Sequence, residues 1–340
     1  MKKIISLILS AALVLTIGGL CAFAEEAKFE PMTITFSMTE ADGGVVAQGM
    51  DKMKEYVSEK TNGVVTIETY YASSLMAQDL EIESIMKGTL GMNACWFDWI
   101  SPYMPKLDVL NVPYLFANWD HMKAYFASEE AEELCDEIAA TTGIRVFTPV
   151  FYKGVRSVNL NKDVKVTTRA DLSGIKMRMP ASEAWQNMGT ALGANPVPLG
   201  ASELYLALQT GTVDGQDNGF STTRSFSWDE VTKSITVTGH MISAGFVTMA
   251  ESAWAKMSPE LQQIFKEAVA IGCNHITDTI QAQEADDIAY FENEGISVYF
   301  LSDEELSAYR KEVSDYYFAQ QDWIKDLDMD FYNSIANMAF

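Results

Sequence analysis

Residues 144–160 read IRVFTPVFYKGVRSVNL. The stretch is rich in β-branched and aromatic side chains and has no glycine–serine run or charge block that would loosen it into a linker. It reads as extended chain leaving one folded unit and entering another. Residues 235–249, ITVTGHMISAGFVTM, form a second extended stretch and the return crossing. Two crossing strands make a hinge rather than a tether. The chain is therefore expected to fold as two lobes about a cleft.

The segments on either side support that division. Upstream, 32–38 alternates apolar and polar residues. The next stretch, 43–60, sets Val46, Met50, Met53 and Val57 at helical spacing and ends at Asn62-Gly63. A strand is expected over 64–71, a helix over 77–87 stopped by Gly88, and an apolar strand over 90–97. This β-α-β-α-β order predicts a parallel sheet with helices on both faces. Downstream the order recurs. A strand at 175–179 is followed by a helix at 182–192 capped by Ser182, and an extended piece at 195–199. Then come a helix at 202–210 capped by Ser202 and a short strand and turn at 212–215. From Ser258-Pro259, a cap followed by a first-turn proline, helical spacing continues to 293. One helix of about 35 residues, about 50 Å long, would lie across both lobes; two helices broken near Gly272 are the alternative.

Met1-Lys2-Lys3, an apolar run to about Leu20 and Ala22-Phe23-Ala24 make a secretory signal, with cleavage expected after Ala24. An uncleaved anchor and a lipid attached at Cys21 are the other readings. Cleavage removes two of the 24 basic residues and none of the 47 acids, moving the net charge from −23 to −25. So acidic a surface repels nucleic acid and anionic lipid. Cys95, Cys135 and Cys273 remain, too few for a disulfide framework, and pairing of any two is left open.

No nucleophile elbow, phosphate loop, dinucleotide fingerprint or zinc-protease motif is present. His121, His240 and His275 lack metal-ligand spacing and read as surface or core histidines. The acid pairs Asp286-Asp287 and Glu304-Glu305 read as solvated helix faces. No metal and no cofactor is expected, and no catalysis. In open α/β sheets ligands bind beyond the carboxyl ends of the strands. Those ends offer Thr39 and Glu40, then Cys95, Trp96 and Phe97, then Tyr152 and Arg156 on the crossing. Arg178 follows within GIKMRMP at 174–180, and last Gln216, Asp217 and Asn218. The alternation of GIKMRMP leaves Arg178 open between a solvated strand face and a ligand hook. Trp96 is open between core packing and ligand contact, and Asp217 also suits a salt bridge to an arginine. Two arginines, amides and aromatic rings suit a small acid with an apolar or aromatic body.

Several segments together resemble the extracytoplasmic solute-binding proteins of TRAP transporters, which are ATP-independent secondary transporters of organic acids. They are GVR at 154–156, DLSGIKMRMP at 171–180, ALGANPVP at 191–198, SELYLALQTGTVDGQDN at 202–218 and VSEKTNGVVTIETY at 57–70. Thr238, His240 and Trp254 also fall in place. The resemblance implies an α/β, two-lobed, type II-like periplasmic-binding-protein fold, with two sheets joined by crossing hinge strands and a long helix spanning both lobes. Mapped onto this chain, lobe I is 25–152 plus 245–283 and lobe II is 153–244 plus 284–340. It further implies that Arg178 holds the ligand carboxylate, that Arg156 assists and Asn218 lies close by, while Thr39 and Trp96 tune specificity. The expected partners are TRAP membrane permease subunits and a small organic acid, with a tilt toward an aromatic or apolar monocarboxylate. A monomer exported to the periplasm is expected. Gly219 departs from the proline frequent in the family, and Trp96 stands where some sugar-acid binders carry an acid. Rival readings are a binding protein of an ATP-driven transporter, a ligand-sensing receptor module and a secreted enzyme.

Overall fold

The computed structural model describes residues 29–340, so the expected signal sequence lies outside the described residues. Strands β1 (Met32–Ser37), β2 (Val65–Tyr70), β3 (Met92–Cys95), β4 (Ile144–Val146), β5 (Phe151–Val155) and β11 (Ile242–Ala250) build the first sheet. Its order is β2-β1-β3-β11-β4, with β5 also on β11. The second sheet contains β6 (Ser157–Leu160), β7 (Lys176–Met179), β8 (Asn195–Pro198), β9 (Gly215–Asn218), β10 (Ser234–Val237) and β12 (Ser297–Phe300), in the order β12-β10-β6-β9-β7-β8.

Each lobe repeats one plan. β1 lies between β2 and β3, parallel to both, as β7 lies between β8 and β9. The expected parallel sheets are mixed, because the crossing strands enter each lobe from the other one. β11 runs antiparallel to β3, and β6 antiparallel to β9. The order reversals at β1/β3 and β7/β9 put a crevice at the carboxyl ends of both sheets, and those ends supply the cleft residues.

Helix Pro259–Asn293 is continuous over its 35 residues. Gly272 does not break it; it permits a close approach. A Cβ there would lie 2.7 Å from the Gly49 carbonyl oxygen, and one on Gly49 would lie 2.4 Å from the Ile276 side chain. The two glycines thus let helix Val45–Lys60 seat against the long helix. Farther along, Arg224 meets Asp287 at 2.7 Å and Phe220 packs on Phe291, which ties the same helix to the second lobe. Asp287 is buried, so it is a structural ion-pair partner rather than solvated charge.

Two further expectations change. Helix Ala201–Gln209 is capped by Gly200, whose N–H donates to Glu203, not by Ser202. The C-terminal chain crosses back: helix Asp303–Ala319 docks on the second lobe, where the Tyr309 hydroxyl donates to Leu192 O at 3.0 Å. Helix Met329–Ala336 returns to the first, with the Ile335 carbonyl 2.9 Å from His121 Nε2 and Phe331 against Tyr125. The last segment of 284–340 is thus packed on lobe I, because Phe331 and Ile335 bury there. Cys95, Cys135 and Cys273 are unpaired and buried.

Candidate functional site

Strand β6 and its approach bring Arg156 beside β9. Arg156 Nε and a terminal nitrogen donate to Asp217 Oδ2 and Oδ1 at 2.9 and 3.1 Å, and the guanidinium also meets the Asp217 carbonyl. On the other side of Asp217, His240 Nε2 stands 3.1 Å from Oδ2, while His240 Nδ1 is 2.8 Å from the Thr238 hydroxyl. Burial lowers the His240 pKa below 6.5, so the ring is neutral at pH 7. Its Nε2–H then donates to Asp217 and its Nδ1 accepts from Thr238. Burial alone would raise Asp217, but the Arg156 charge and the His240 hydrogen bond outweigh it and hold the carboxyl at about 2. The face of Arg156 stacks on Trp185, 4.3 Å from the ring centre. Arg156 is therefore locked by the fold.

Arg178, near the end of β7, differs. Its Nε donates to Leu199 O at 2.8 Å, and among the described residues no carboxylate closes on it as an ion pair. Burial pulls its pKa down to about 10, so it keeps its charge at neutral pH. A buried cation without a salt-bridge partner is costly. The GIKMRMP alternation resolves accordingly: Lys176 is exposed and bonds Gly211 O, while Arg178 is buried at the cleft.

Around Arg178 the lobes border an open cleft. Thr39, Glu40, Trp96, Arg156, Arg178 and Asn218 all border it, as the sequence suggested. Asn218 is positioned from beneath: its Nδ2 donates to Gln216 Oε1 at 2.7 Å, and Gln216 donates to Thr223 at 3.2 Å. Gly219 leaves room for the hinge, since a Cβ there would sit 3.1 Å from Lys153 O and 3.4 Å from the Gly154 Cα.

Three expected ligand residues stand elsewhere. Cys95 is fully buried, because its position in β3 faces the core. Gln216 is fully buried and holds Asn218 rather than reaching the cleft. Tyr152 turns toward the long helix, with its N–H donating to Thr277 Oγ1 and its ring on Trp119.

Two charged cleft residues escaped the sequence reading. Lys153 is buried and pairs with Glu40 at 3.6 Å, and Thr39 donates to the same carboxylate at 3.1 Å. Asp98 follows Trp96 and is buried at the cleft. Burial pushes its carboxyl up to about 6, opposed by Trp185 and by the charges of Arg156 and Arg178. In a regular strand Tyr152 and Arg156 would share one face and Lys153 the other, but the β5/β11 pairing shifts register between Tyr152 and Val155, so alternation carried no signal for Lys153. Asp98 had none either, since it lies in a helical turn, Phe97–Ile100, beyond the strand end. Among the described residues no group of His, Cys, Asp or Glu is arranged to hold a metal ion.

The cleft can thus hold an anion on Arg178 while Asp98 and Glu40 accept hydrogen bonds from its other groups. Residues 36–322 match the family described as DctP, bacterial extracellular solute-binding protein, family 7. The sialic acid-binding periplasmic protein SiaP of Vibrio cholerae serotype O1 is 28% identical over 285 residues, which are 84% of this chain and 88% of that protein. A TRAP periplasmic solute-binding protein of Roseobacter denitrificans, crystallised with bound 3-deoxy-D-manno-oct-2-ulosonic acid, superposes with a TM-score of 0.83 at 29% identity. It covers 90% of this chain and 99% of its own. A second one from Roseobacter denitrificans, with bound L-galactonate, gives a TM-score of 0.80 at 26% identity, covering 90% and 99%.

Proposed function

This chain belongs to the family 7 bacterial extracellular solute-binding proteins, and from that premise we propose that it captures a small polar carboxylate between its lobes and delivers it to a TRAP-type membrane permease. The carrying observation is Arg178, a buried guanidinium at the cleft with no carboxylate closed on it. A guanidinium offers a planar fork that takes a carboxylate in two parallel hydrogen bonds. At an effective dielectric of about 20, a charge pair at about 4 Å contributes about 4 kcal/mol before desolvation. A micromolar ligand needs about 8 kcal/mol, so lobe closure and the other walls supply the rest.

Those walls favour a hydroxylated or otherwise polar acid. Glu40, Asp98, Lys153, Asn218 and Ser243 border the cleft and need hydrogen-bonding groups when water leaves. The relatives described above hold sugar acids by name. An aromatic or apolar monocarboxylate is the second reading, favoured by the rings of Trp96, Trp99, Trp185 and Trp228 on the same walls. It would leave the acids without donors, whereas a hydroxylated acid can use both its apolar face on the rings and its hydroxyls on Asp98 and Glu40.

The test is a thermal-shift panel of sugar acids, hydroxy acids, dicarboxylates and aromatic acids on the exported protein. A micromolar ligand at millimolar concentration stabilises by about 4 kcal/mol. Polyhydroxylated acids are expected to give the largest shifts. Larger shifts from aromatic acids would reverse the ligand assignment, and conversion of a bound acid to another compound would replace transport by catalysis.

A further inference from the structure

The interlobe opening does not end at Arg156. Past Trp96, Asp98 and Trp185 it continues into a small recess. The recess wall is apolar: Leu110, Phe116, Met122 and Phe126 come from the first lobe, Ile242 and Ala244 from β11. Its rings are braced. Phe97 stacks on Phe126 at 5.4 Å between centres, and Phe116 tilts onto Phe126 at 6.4 Å. Asp98, Arg156, Ser243 and Asn111 interrupt the wall. Asn111 is only 7% exposed, and among the described residues its Nδ2 has no hydrogen-bond partner. Trp185, in the partition between cleft and recess, turns its indole N–H toward Asp98. A buried donor without an acceptor is costly, and a ligand oxygen in the recess would relieve it.

We propose that the recess is a ligand subsite. It takes a compact arm, apolar at its tip and carrying one acceptor oxygen such as a ketone or amide carbonyl, on the same acid whose carboxylate sits on Arg178. The inference rests on the carboxylate reading above and adds the other half of the ligand. A hydrocarbon arm would bury the apolar wall but leave Asn111 unpaired. A polyol arm would satisfy Asn111, Asp98 and Ser243 at the mouth but strand the hydroxyls that reach Phe116, Met122 and Phe126. A second carboxylate would meet Asp98 and an Arg156 whose charge Asp217 already answers.

Three acids separate the possibilities: propanoate, 4-methylpentanoate and 4-oxopentanoate, titrated into the exported protein. The last two differ in a carbonyl, and the first lacks the arm. We expect 4-oxopentanoate to bind about ten-fold or more tightly than propanoate, from the added buried area and one hydrogen bond. It should also bind more tightly than 4-methylpentanoate, and Asn111→Leu, close to isosteric, should reverse that order. Ala244→Val, which narrows the recess, should draw all three affinities together. A crystal structure with 4-oxopentanoate should place its carboxylate on Arg178 and its ketone on Asn111 Nδ2. The carboxylate on Arg178 with only water in the recess would overturn the subsite and leave the anchor standing, as would an unchanged order in Asn111→Leu. A carboxylate bound away from Arg178 would overturn the anchor and the subsite together.

Discussion

Strand β9 has an arginine on each side, and the two sides treat their arginine differently. Arg156 and Arg178 are equally buried, at 6% exposure each. On the β6 side, Arg156 is clamped by Asp217, which is in turn held by His240, and covered by Trp185. On the β7 side, Arg178 donates to the Leu199 carbonyl and, among the described residues, closes no ion pair. A buried cation whose charge is answered within the chain belongs to the fold. One whose charge is left to the cleft belongs to the ligand. The same residue type at the same depth therefore does two jobs, and the difference lies in the partner.

The largest effect that can break this comparison is on stability. Asp217→Asn leaves Arg156 buried without its counter-charge, which should cost about 3–5 kcal/mol by chemical denaturation. Arg178→Ala breaks no ion pair and should stay within about 1 kcal/mol of the parent. Equal losses in the two variants would erase the distinction.

Acid should probe the same clamp more gently. Asp217 is held at about 2 in the fold against 3.8 for an ordinary aspartate. A folded pKa below the unfolded one stabilises above pH 4, and the contribution disappears as pH falls from about 4 to 2. It amounts to about 2 kcal/mol and should be missing from the acid limb of Asp217→Asn.

Asp98 gives the smallest effect, and with the opposite sign. Its folded pKa of about 6 lies above 3.8, so its protonated form is favoured in the fold and stability from this group rises as pH falls from 6 to 4. An anionic ligand near it should bind a few-fold more tightly at pH 5.5 than at pH 7.5, a difference under about 1 kcal/mol. Asp98→Asn should flatten that slope. A slope that survives the substitution would place the titrating group elsewhere.

Much of this architecture was legible in the sequence because it rests on local patterns. The crossing segments were rich in strand formers, and the long helix kept its spacing through Gly272. The paired β-α-β-α-β units were punctuated by glycine stops. What failed needed tertiary facts. Cys95 precedes Trp96, and strand alternation turns it into the core; Gln216 shares a face with Asn218 but lies one step deeper and is spent on holding it. Tyr152 and Lys153 exchange roles because the β5/β11 pairing shifts register between Tyr152 and Val155. Asp98 lies in a helical turn after β3, where no periodicity marks a direction. Asp287 looked like surface charge until Arg224 of another element closed on it. Glu203 rather than Ser202 completes a cap because the helix starts one residue earlier than the serine pattern suggests. Arg178 was visible as a candidate through its place before Pro180, yet only the absence of a closing carboxylate separates it from Arg156.

The most direct measurement is a paired one on Arg178→Lys, with ligand affinity and unfolding free energy taken on the same preparation and the acid that gives the largest thermal shift as ligand. Lysine keeps the charge and loses the fork. Affinity should fall by about 10- to 100-fold, about 1.4–2.7 kcal/mol, while stability changes by less than about 1 kcal/mol. Unchanged affinity, or a loss of stability matching the loss of binding, would contradict Arg178 as the carboxylate anchor.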